Sequence, residues 1–341
     1  MVEHPSSPTE AAAVVRLAEA EERCVRPTGG GTKLGWGTPA QRVGVEVSTA
    51  RLDRIVEHNA PDLTAVLEAG VPLQAAQEAF SEHGQMLALD PPLGADDAAT
   101  VGGVVATGDS GPLRHRYGAP RDLVVGMTVA LADGTIARSG GKVIKNVAGY
   151  DLAKLFAGSL GTLGLIVEVV MRLHPLPRQR TTVVGRSADV AALQRTVLEL
   201  ARRPLELESL DLAWAGEDGS VLARLAGAAT RAHADDVRHV MSASGVDAET
   251  LEDDGATWAS HRGRQRSQSG TVVRVSALPA QLGRVLTCAA RLSAQVVGRA
   301  GLGLSWVTLP AAPADDLVHA VEELRRDLRP FPASCSMLPS R

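Results

Sequence analysis

The sequence predicts an α+β chain built in two parts, and three observations carry that prediction. Its 341 residues exceed what a single core usually serves. Strand-like and helix-like runs alternate along it, with no long block of either. The texture changes at His174-Pro175-Leu176-Pro177, and this proline pair divides residues 1–177 from residues 178–341. Composition is that of a soluble globular chain, 45% apolar and 22% charged, with aromatics at only 3%, so Ala, Val and Leu must fill the core. A net charge of −4 predicts no general attraction to nucleic acid or anionic lipid. No apolar run approaches the ~20 residues of a bilayer span. The opening MVEHPSSPTE lacks a basic region followed by an apolar one, so a cytoplasmic location is expected.

Taken in order, Ser7-Pro8-Thr9-Glu10 reads as a capping box with proline at the first helical position, opening a helix over AAAVVRLAEAEE. Cys24 to Pro27 is a short strand running into Thr28-Gly29-Gly30-Gly31-Thr32-Lys33. Strands follow at 42–47 and, after Leu52 to Val56, at 64–69. Pro72 then starts a helix over LQAAQEAFSEH that Gly84 ends as a left-handed cap. Asp90-Pro91-Pro92 is a rigid loop. Thr100 to Ala106 is a glycine-opened helix, 123–131 a strand, and Asp133-Gly134 a hairpin signal. Residues 151–156 look helical, and 163–173 form a strand alternating around Glu168. In the second part helices are expected at 189–202 and 314–328 and strands at 221–225 and 271–275. Trp258 to Ser269, rich in Arg, Gln and Ser, reads as a mobile surface loop. No catalytic cluster stands out in that part.

The three cysteines, Cys24, Cys288 and Cys335, are far apart and form no CxxC, so neither a zinc ribbon nor a ferredoxin-type cluster is encoded. They read as buried free thiols. The nine histidines include no HExxH or HxH, and no metal site is expected.

Chemistry concentrates between Ala99 and Val167 and in the earlier loop from Pro27 to Lys33. Glycine at this density marks backbone that turns tightly or lets something approach within contact distance. The triple-glycine loop is neither a Walker A motif nor the GxGxxG fingerprint. It offers backbone N–H groups free of side chains, which suits a pyrophosphate; a plain glycine-rich turn reads the same. Thr100-Val101-Gly102-Gly103 is equally open, because amides at a helix start can hold an anion or the glycines can serve close packing. Ser110-Gly111-Pro112 leads into Arg114-His115-Arg116-Tyr117. These four either order a carboxylate or phosphate or form a solvated basic turn. Arg121-Asp122 reads as a local ion pair. Together the two glycine stretches are read as lining one elongated cofactor.

Five ordered stretches carry a resemblance: PTGGGTK, DPP, ATVGGVVATGDSGPLRHRYGAPRDLVVG, GGKVIKNVAGYDLAKLFAGSLGTLG and HPLP. Over about residues 26–177 they resemble the FAD-binding domain of the vanillyl-alcohol oxidase type, also called the PCMH type. Within it, the chain is similar to the FAD-binding subunits of bacterial glycolate oxidases. The resemblance implies a two-subdomain FAD-binding domain followed by an α+β cap. It places the FAD pyrophosphate on Thr28, Gly29, Gly30, Gly31, Thr32 and Lys33. It lines pyrophosphate and flavin with Thr100, Gly102, Gly103, Thr107, Ser110 and Gly111, and closes the adenosine half with Gly161, Gly164, Leu165 and Ile166. Relatives that bond the flavin covalently carry a histidine at the first loop; Thr32 and Lys33 stand there here, which implies non-covalent FAD. Catalytic subunits read GSEGTLG where Ser159-Leu160-Gly161 stands. They also carry a late glutamate-histidine-glycine motif, whereas GRAGLG at 298–303 has no histidine. The family's closing phenylalanine-asparagine-proline is missing, which implies a cap truncated at its C-terminus.

The implied function is that of an FAD-dependent oxidoreductase, as the FAD-binding subunit of a glycolate oxidase-like complex that oxidises a 2-hydroxy acid to a 2-oxo acid, with hydride passing to the flavin. With no iron–sulfur ligands in the chain, electrons must leave through others. A homologous catalytic flavoprotein subunit and an iron–sulfur subunit are implied, and through them a peripheral place at the inner face of the membrane. Two further readings stand beside this one. The first is a stand-alone 2-hydroxy-acid dehydrogenase in which Arg114, His115, Arg116 or Tyr117 touches substrate. The second is a non-enzymatic scaffold with a vestigial flavin site.

Overall fold

The computed structural model describes residues 1–37, 42–142, 151–251 and 253–338. The stretch 143–150, part of the fourth resembling motif, lies outside the described residues. The architecture is α+β, and the chain divides into two compact units: Met1–Gly111 with Tyr117–Leu176, and Pro112–Arg116 with Pro177–Arg341.

The first unit begins with β1 (Val2–Glu3) and α1 (Pro8–Ala20). The Ser7 hydroxyl accepts from the Glu10 amide at 3.2 Å, and Pro8 fills the first helical position where its missing N–H costs nothing. The return half of the expected box is displaced by one residue. Glu10 accepts from the amide and hydroxyl of Ser6, at 2.8 and 2.9 Å, and these bonds hold its carboxyl below the usual range. A parallel sheet follows in the order β1, β3 (Val45–Ser48), β2 (Val25–Thr28). Ala11, Ala12, Val15 and Ala18 of α1 pack on Val45 and Val47, and on Leu165 and Val167.

The rest of this unit runs through β4 (Ile55–Asn59), β5 (Thr64–Glu68), α2 (Leu73–Ser81), β6 (Gln85–Met86) and α3 (Val101–Thr107), then the single turns α4 (Arg114–Tyr117) and α5 (Pro120–Leu123). β7 (Val124–Ala130), β8 (Ile136–Gly140), the one-turn α6 (Ala153–Phe156), β9 (Leu165–Arg172) and β10 (His174–Pro175) complete it. Five strands form an antiparallel sheet in the order β4-β5-β9-β7-β8, while β6 pairs with β10. Helices cover this sheet on both faces. Ile166, Val169 and Met171 belong to the core that includes Phe80, Val101, Val104 and Val105, whereas Leu165 and Val167 belong to that of α1. The expected alternation around Glu168 is therefore a nearly continuous buried run. Asp122 does not pair with Arg121 as expected; its carboxylate accepts from the Ala119 amide at 2.8 Å and caps α5.

The second unit runs β11 (Arg180–Ser187), α7 (Val190–Arg202), β12 (Leu207–Ala215), β13 (Asp218–Ala226), α8 (Thr230–Ala243), β14 (Asp247–Leu251) and α9 (Gly255–Gly263). It continues with β15 (Thr271–Ala277), α10 (Leu282–Arg291), β16 (Gln295–Arg299), β17 (Leu304–Leu309), α11 (Ala314–Leu328) and β18 (Ala333–Leu338). The eight strands form an antiparallel sheet in the order β14-β11-β13-β12-β16-β17-β15-β18. Strand alternation sends Leu210, Leu212, Val221, Ala223, Val273, Val296 and Val307 into one apolar core with residues of α7, α8, α10 and α11. The alternate positions Thr182, Asp211, Arg224, Arg299 and Trp306 point to the opposite face, which α9 joins. This corrects the expected mobile loop at 258–269. Trp258, His261 and Gln265 are buried, and Trp258 donates from Nε1 to the Thr182 hydroxyl at 2.9 Å. Helix spacing puts Trp258 and His261 on one side of α9, and the Arg and Ser content records only its other side. The thiols also divide, since Cys288 and Cys335 are buried but Cys24 is exposed.

Candidate functional site

The first unit contains a cavity of about 280 Å³ at the C-terminal end of β2. Thr28, where β2 ends, and the loop Gly29 to Lys33 line one side of it. Thr100, Gly102, Gly103 and Thr107 of α3 and its cap line a second, and Gly161, Gly164, Leu165 and Ile166 a third. Ser110 and Gly111, expected with them, do not line it. Ser110 is buried with its amide on the Asp109 carboxylate at 3.0 Å, and a Cβ on Gly111 would fall 1.8 Å from the Asp90 carbonyl oxygen. Both serve packing. Arg26, Trp36, Thr49, Ala69, Leu160 and Thr162 also line the cavity and were not singled out from the sequence. Arg26 and Thr162 flank recognised motifs, but nothing local marks Thr49 or Ala69, which arrive from the ends of β3 and β5.

The glycines here do two different jobs. A Cβ on Gly30 would lie 1.5 Å from the Ala98 carbonyl oxygen, one on Gly29 2.3 Å from Thr100 Oγ1, and one on Gly102 2.5 Å from Ala69 Cβ. These three let backbone segments touch. Gly31 and Gly103 are different: beyond Leu34 at 3.9 Å and Thr100 Oγ1 at 3.1 Å, nothing meets their missing side chains. Their bareness opens toward the cavity. The turn after α6 is tight, with Leu160 at φ +57° and Gly161 at φ +76°. The Leu160 amide donates to Ala106 O at 2.8 Å, so this turn docks on α3, and Leu160 reaches across to Gly37 of the first loop.

The two amide sets also differ. At the start of α3 the amides of Val101, Gly102 and Gly103 already donate to Val71 O, Ala69 O and Thr100 Oγ1, at 2.9, 2.8 and 3.2 Å. The helix start is thus a packing device and offers an anion no amide. In the first loop, the amides of Gly29, Gly30 and Gly31 meet no acceptor among the described residues. Lys33 supplies positive charge beside them; its Nζ donates to Thr32 Oγ1 at 3.0 Å and lies 3.6 Å from Asp109, both side chains almost wholly buried. Arg26 pairs with Glu46 and, with the Thr28 hydroxyl, holds that carboxyl below its usual range against the opposing effect of burial. Bare backbone, open amides, threonine hydroxyls and one balanced lysine fit an elongated ligand with an anionic middle.

The four residues expected to grip substrate do not act as one group. Arg114, His115 and Arg116 fall in the second unit and Tyr117 in the first. Arg116 donates to Ala226 O at 3.2 Å, and the Tyr117 ring rests on His174, centroids 4.7 Å apart. His115 is half-buried against Gly301; burial pushes its imidazole below the usual value, and Asp211 nearby pulls the other way. Asp211 itself is fully buried. Its Oδ2 accepts from His261 Nε2 at 2.7 Å and lies 3.3 Å from Arg299 Nη1; Arg299 donates to Gln265 and lies over the Trp306 ring at 4.5 Å. This charged group was missed, because it joins positions 211, 261 and 299 from three elements with no common motif. Elsewhere, ligating atoms of Cys288, Glu323 and Asp327 gather between α10 and α11. Arg291 bonds both carboxylates, and burial pushes the thiol up to about 12, which keeps it protonated and a poor metal ligand. No helix among the described residues is long and apolar enough to cross a membrane.

Comparison with known proteins adds to this geometry. Residues 1–140 match the sequence family described as FAD binding domain. A D-lactate dehydrogenase of Archaeoglobus fulgidus is 35% identical over 213 residues, 62% of this chain and 47% of that one. The glycolate oxidase subunit GlcE of Escherichia coli is 35% identical over 182 residues, 53% of this chain and 51% of its own. Subunit GlcD of Bacillus subtilis is 32% identical over 210 residues, 61% and 44%. The chain thus spans about half the length of the curated relatives it matches. Among solved structures, an alkyldihydroxyacetonephosphate synthase superposes with a TM-score of 0.74 at 17% identity, covering 98% of this chain and 72% of that one. A chitooligosaccharide oxidase gives 0.71 at 14%, covering 98% and 81%. At such identities the likeness is one of fold.

Proposed function

We propose that this chain, whose residues 1–140 match the family described as FAD binding domain, is the FAD-binding subunit, of the PCMH type, of a glycolate oxidase-like complex that oxidises a 2-hydroxy acid to a 2-oxo acid. The observation that carries the reading is that three separated segments converge on one cavity, with bare backbone facing inward at Gly31 and Gly103. The Gly29 to Gly31 amides and Lys33 would hold the FAD pyrophosphate, and Gly103 would leave room for the cofactor beside Thr100 and Thr107. Gly161, Gly164, Leu165 and Ile166 would close on the adenosine half. Ser110 and Gly111 drop out of this set. Bound FAD supplies a hydride acceptor for the carbon that bears the substrate hydroxyl. Thr32 and Lys33 offer no imidazole for attachment, so FAD is held without a covalent bond.

The likeness to two glycolate oxidase subunits supports an assembly of several chains. Within it we assign electron exit to a homologous catalytic flavoprotein and an iron–sulfur subunit, in the cytoplasm and at the inner membrane face through those partners. In this reading the isolated chain turns over glycolate or D-lactate weakly or not at all. The buried Asp211 beside His115 favours the alternative, a stand-alone dehydrogenase. One experiment separates them: the purified chain is assayed for dye reduction with either acid, and its cofactor is extracted and identified. FAD released on denaturation with negligible turnover supports the subunit. Turnover at roughly 1 per second or more replaces it with the dehydrogenase, and FMN, covalent flavin or no flavin removes the cofactor assignment.

A further inference from the structure

The turn from Gly108 to Gly111 does not line the cavity, although the resemblance places half of it on the ligand. Its construction fixes one side chain, that of Asp109. Gly108 ends α3 in the left-handed region at φ +63°, with its amide on Val105 O at 3.2 Å. Gly111 closes on the Asp90 carbonyl with no room for a side chain. Between them, the Ser110 amide donates to Asp109 Oδ1 at 3.0 Å. Asp109 Oδ2 lies 3.6 Å from Lys33 Nζ, and both side chains are almost wholly buried. Lys33 and Thr32 do line the cavity, and Lys33 Nζ donates to Thr32 Oγ1 at 3.0 Å. Thr32 is itself held on its methyl side, since a Cβ on Gly94 would fall 2.5 Å from Thr32 Cγ2.

An ammonium can only donate, so Thr32 Oγ1 accepts from Lys33 and keeps its own proton to give elsewhere. Among the described residues that proton meets no acceptor. We propose that Asp109 is a positioning residue of the cavity: it holds the Lys33 ammonium against Thr32, and so reserves the Thr32 hydroxyl proton for an anionic oxygen of the ligand. The contacts run one way. The backbone turn fixes the carboxylate, the carboxylate fixes the ammonium, and the ammonium fixes which partner the hydroxyl can take. Lysine alone would not do this, because its four-carbon stem is free to turn away and a buried ammonium without a counter-charge is costly. The carboxylate also balances the lysine charge, so Asp109 contributes place rather than attraction. That the anionic oxygen belongs to the FAD pyrophosphate rests on the function proposed above; the relay itself requires only an anion at the first loop.

The test titrates the full chain, freed of any flavin, with inorganic pyrophosphate and separately with FAD by calorimetry. Asp109→Asn keeps an acceptor for the Ser110 amide but removes the ion pair, and is expected to weaken both ligands about tenfold. Lys33→Met should weaken them at least as much. Adding Asp109→Asn to Lys33→Met should cost nothing further, because Asp109 acts through Lys33. If Asp109→Asn does not fold, Thr32 decides. Thr32→Val, of the same shape without the hydroxyl, should lose about tenfold, and Thr32→Ser should restore binding. Unchanged or tighter binding by Asp109→Asn, the latter expected of a carboxylate that merely repels phosphate, overturns the proposal. So do losses that add in the double variant, and full binding by Thr32→Val. Pyrophosphate bound with these losses by a chain that takes no FAD would sink the flavoprotein reading and leave Asp109 its role. FAD bound equally by every variant does the reverse, and a chain that binds neither ligand overturns both.

Discussion

The cavity of the first unit and the charged face of the second are built from opposite materials. Around the cavity the decisive feature is what has been left out: side chains at Gly31 and Gly103 and acceptors for the amides of the first loop. On the other face the decisive feature is what has been put in, with Asp211, His261, Gln265 and Arg299 buried and bonded to one another. An Arg180–Glu208–Arg224–Asp254 web joins the same sheet to the start of α9. The first arrangement waits for a ligand to complete it, so its residues should matter to occupancy more than to stability. The second has already met most of its own requirements, so its residues should matter to stability first.

The sharpest test of that contrast is Arg299→Ala. It leaves the Asp211 carboxylate buried with His261 alone, and should cost about 3–5 kcal/mol in urea unfolding followed by tryptophan fluorescence. A loss under about 1 kcal/mol would put the charged face in the same class as the cavity. Next in size is Gly103→Asp, which pushes a carboxylate into the space left for the cofactor. Retained FAD, read from the ratio of flavin to protein absorbance, should fall about tenfold or more, or ~1.4 kcal/mol, with the unfolding midpoint of the second unit unmoved. Full flavin occupancy would break the assignment. Gly30→Asp should lose flavin by another route, because its Cβ meets the Ala98 carbonyl at 1.5 Å and the loop itself must shift.

Acid should separate His115 from Asp254. The folded His115 binds a proton less readily than the unfolded one, so the unfolded chain holds more protons below the ordinary histidine value. Stability should therefore be level above about pH 6.5 and decline as pH falls below it, by no more than about 1.4 kcal/mol per unit. Asp254 behaves as a depressed carboxyl: burial works to raise it, and bonds from Arg224 and Thr182 outweigh that. Its contribution is present above about pH 4 and is lost as pH falls through its lower folded value. Urea midpoints against pH should lose the first slope in His115→Gln and the second in Asp254→Asn. A wild-type curve flat from pH 7 to 5 would contradict the burial of the imidazole. The smallest effect belongs to Gly103→Ala. A gain of up to about 1 kcal/mol in helix propensity is offset by crowding at Thr100 Oγ1, so stability should move by about 0.5 kcal/mol or less while FAD affinity falls a few-fold.

That same contrast explains what could be read from the chain. The loop from Thr28 to Lys33, the α3 glycines and the turn at Gly161 were visible because a missing side chain is a local fact, written at one position. Their division of labour was not visible. Whether a glycine admits a neighbour, as Gly102 admits Ala69, or faces an opening, as Gly103 does, depends on residues tens of positions away. The helix expected from Pro72 to the stop at Gly84 is present and ends at Ser81, and the one expected at 314–328 has those bounds. α9 was not expected, since its buried side is Trp258 and His261, and a polar cluster read as a run of Arg, Gln and Ser looks like surface. Asp211 was illegible for a related reason. It sits in a strand of LESLDLAWA, where alternation announces a polar face but says nothing of the histidine and arginine that meet it there.

The five residues Pro112 to Arg116 leave the first unit, build themselves into the second, and return before Tyr117. The backbone therefore changes body three times, and a single cut at 176/177 cannot part the two. Such a nick leaves the pieces still joined through this pentapeptide, held without a bond across the break. A fragment starting at Pro177 would lack the imidazole that rests on Gly301. Anyone transplanting the second unit onto a different first unit must graft two segments, one of them only five residues long.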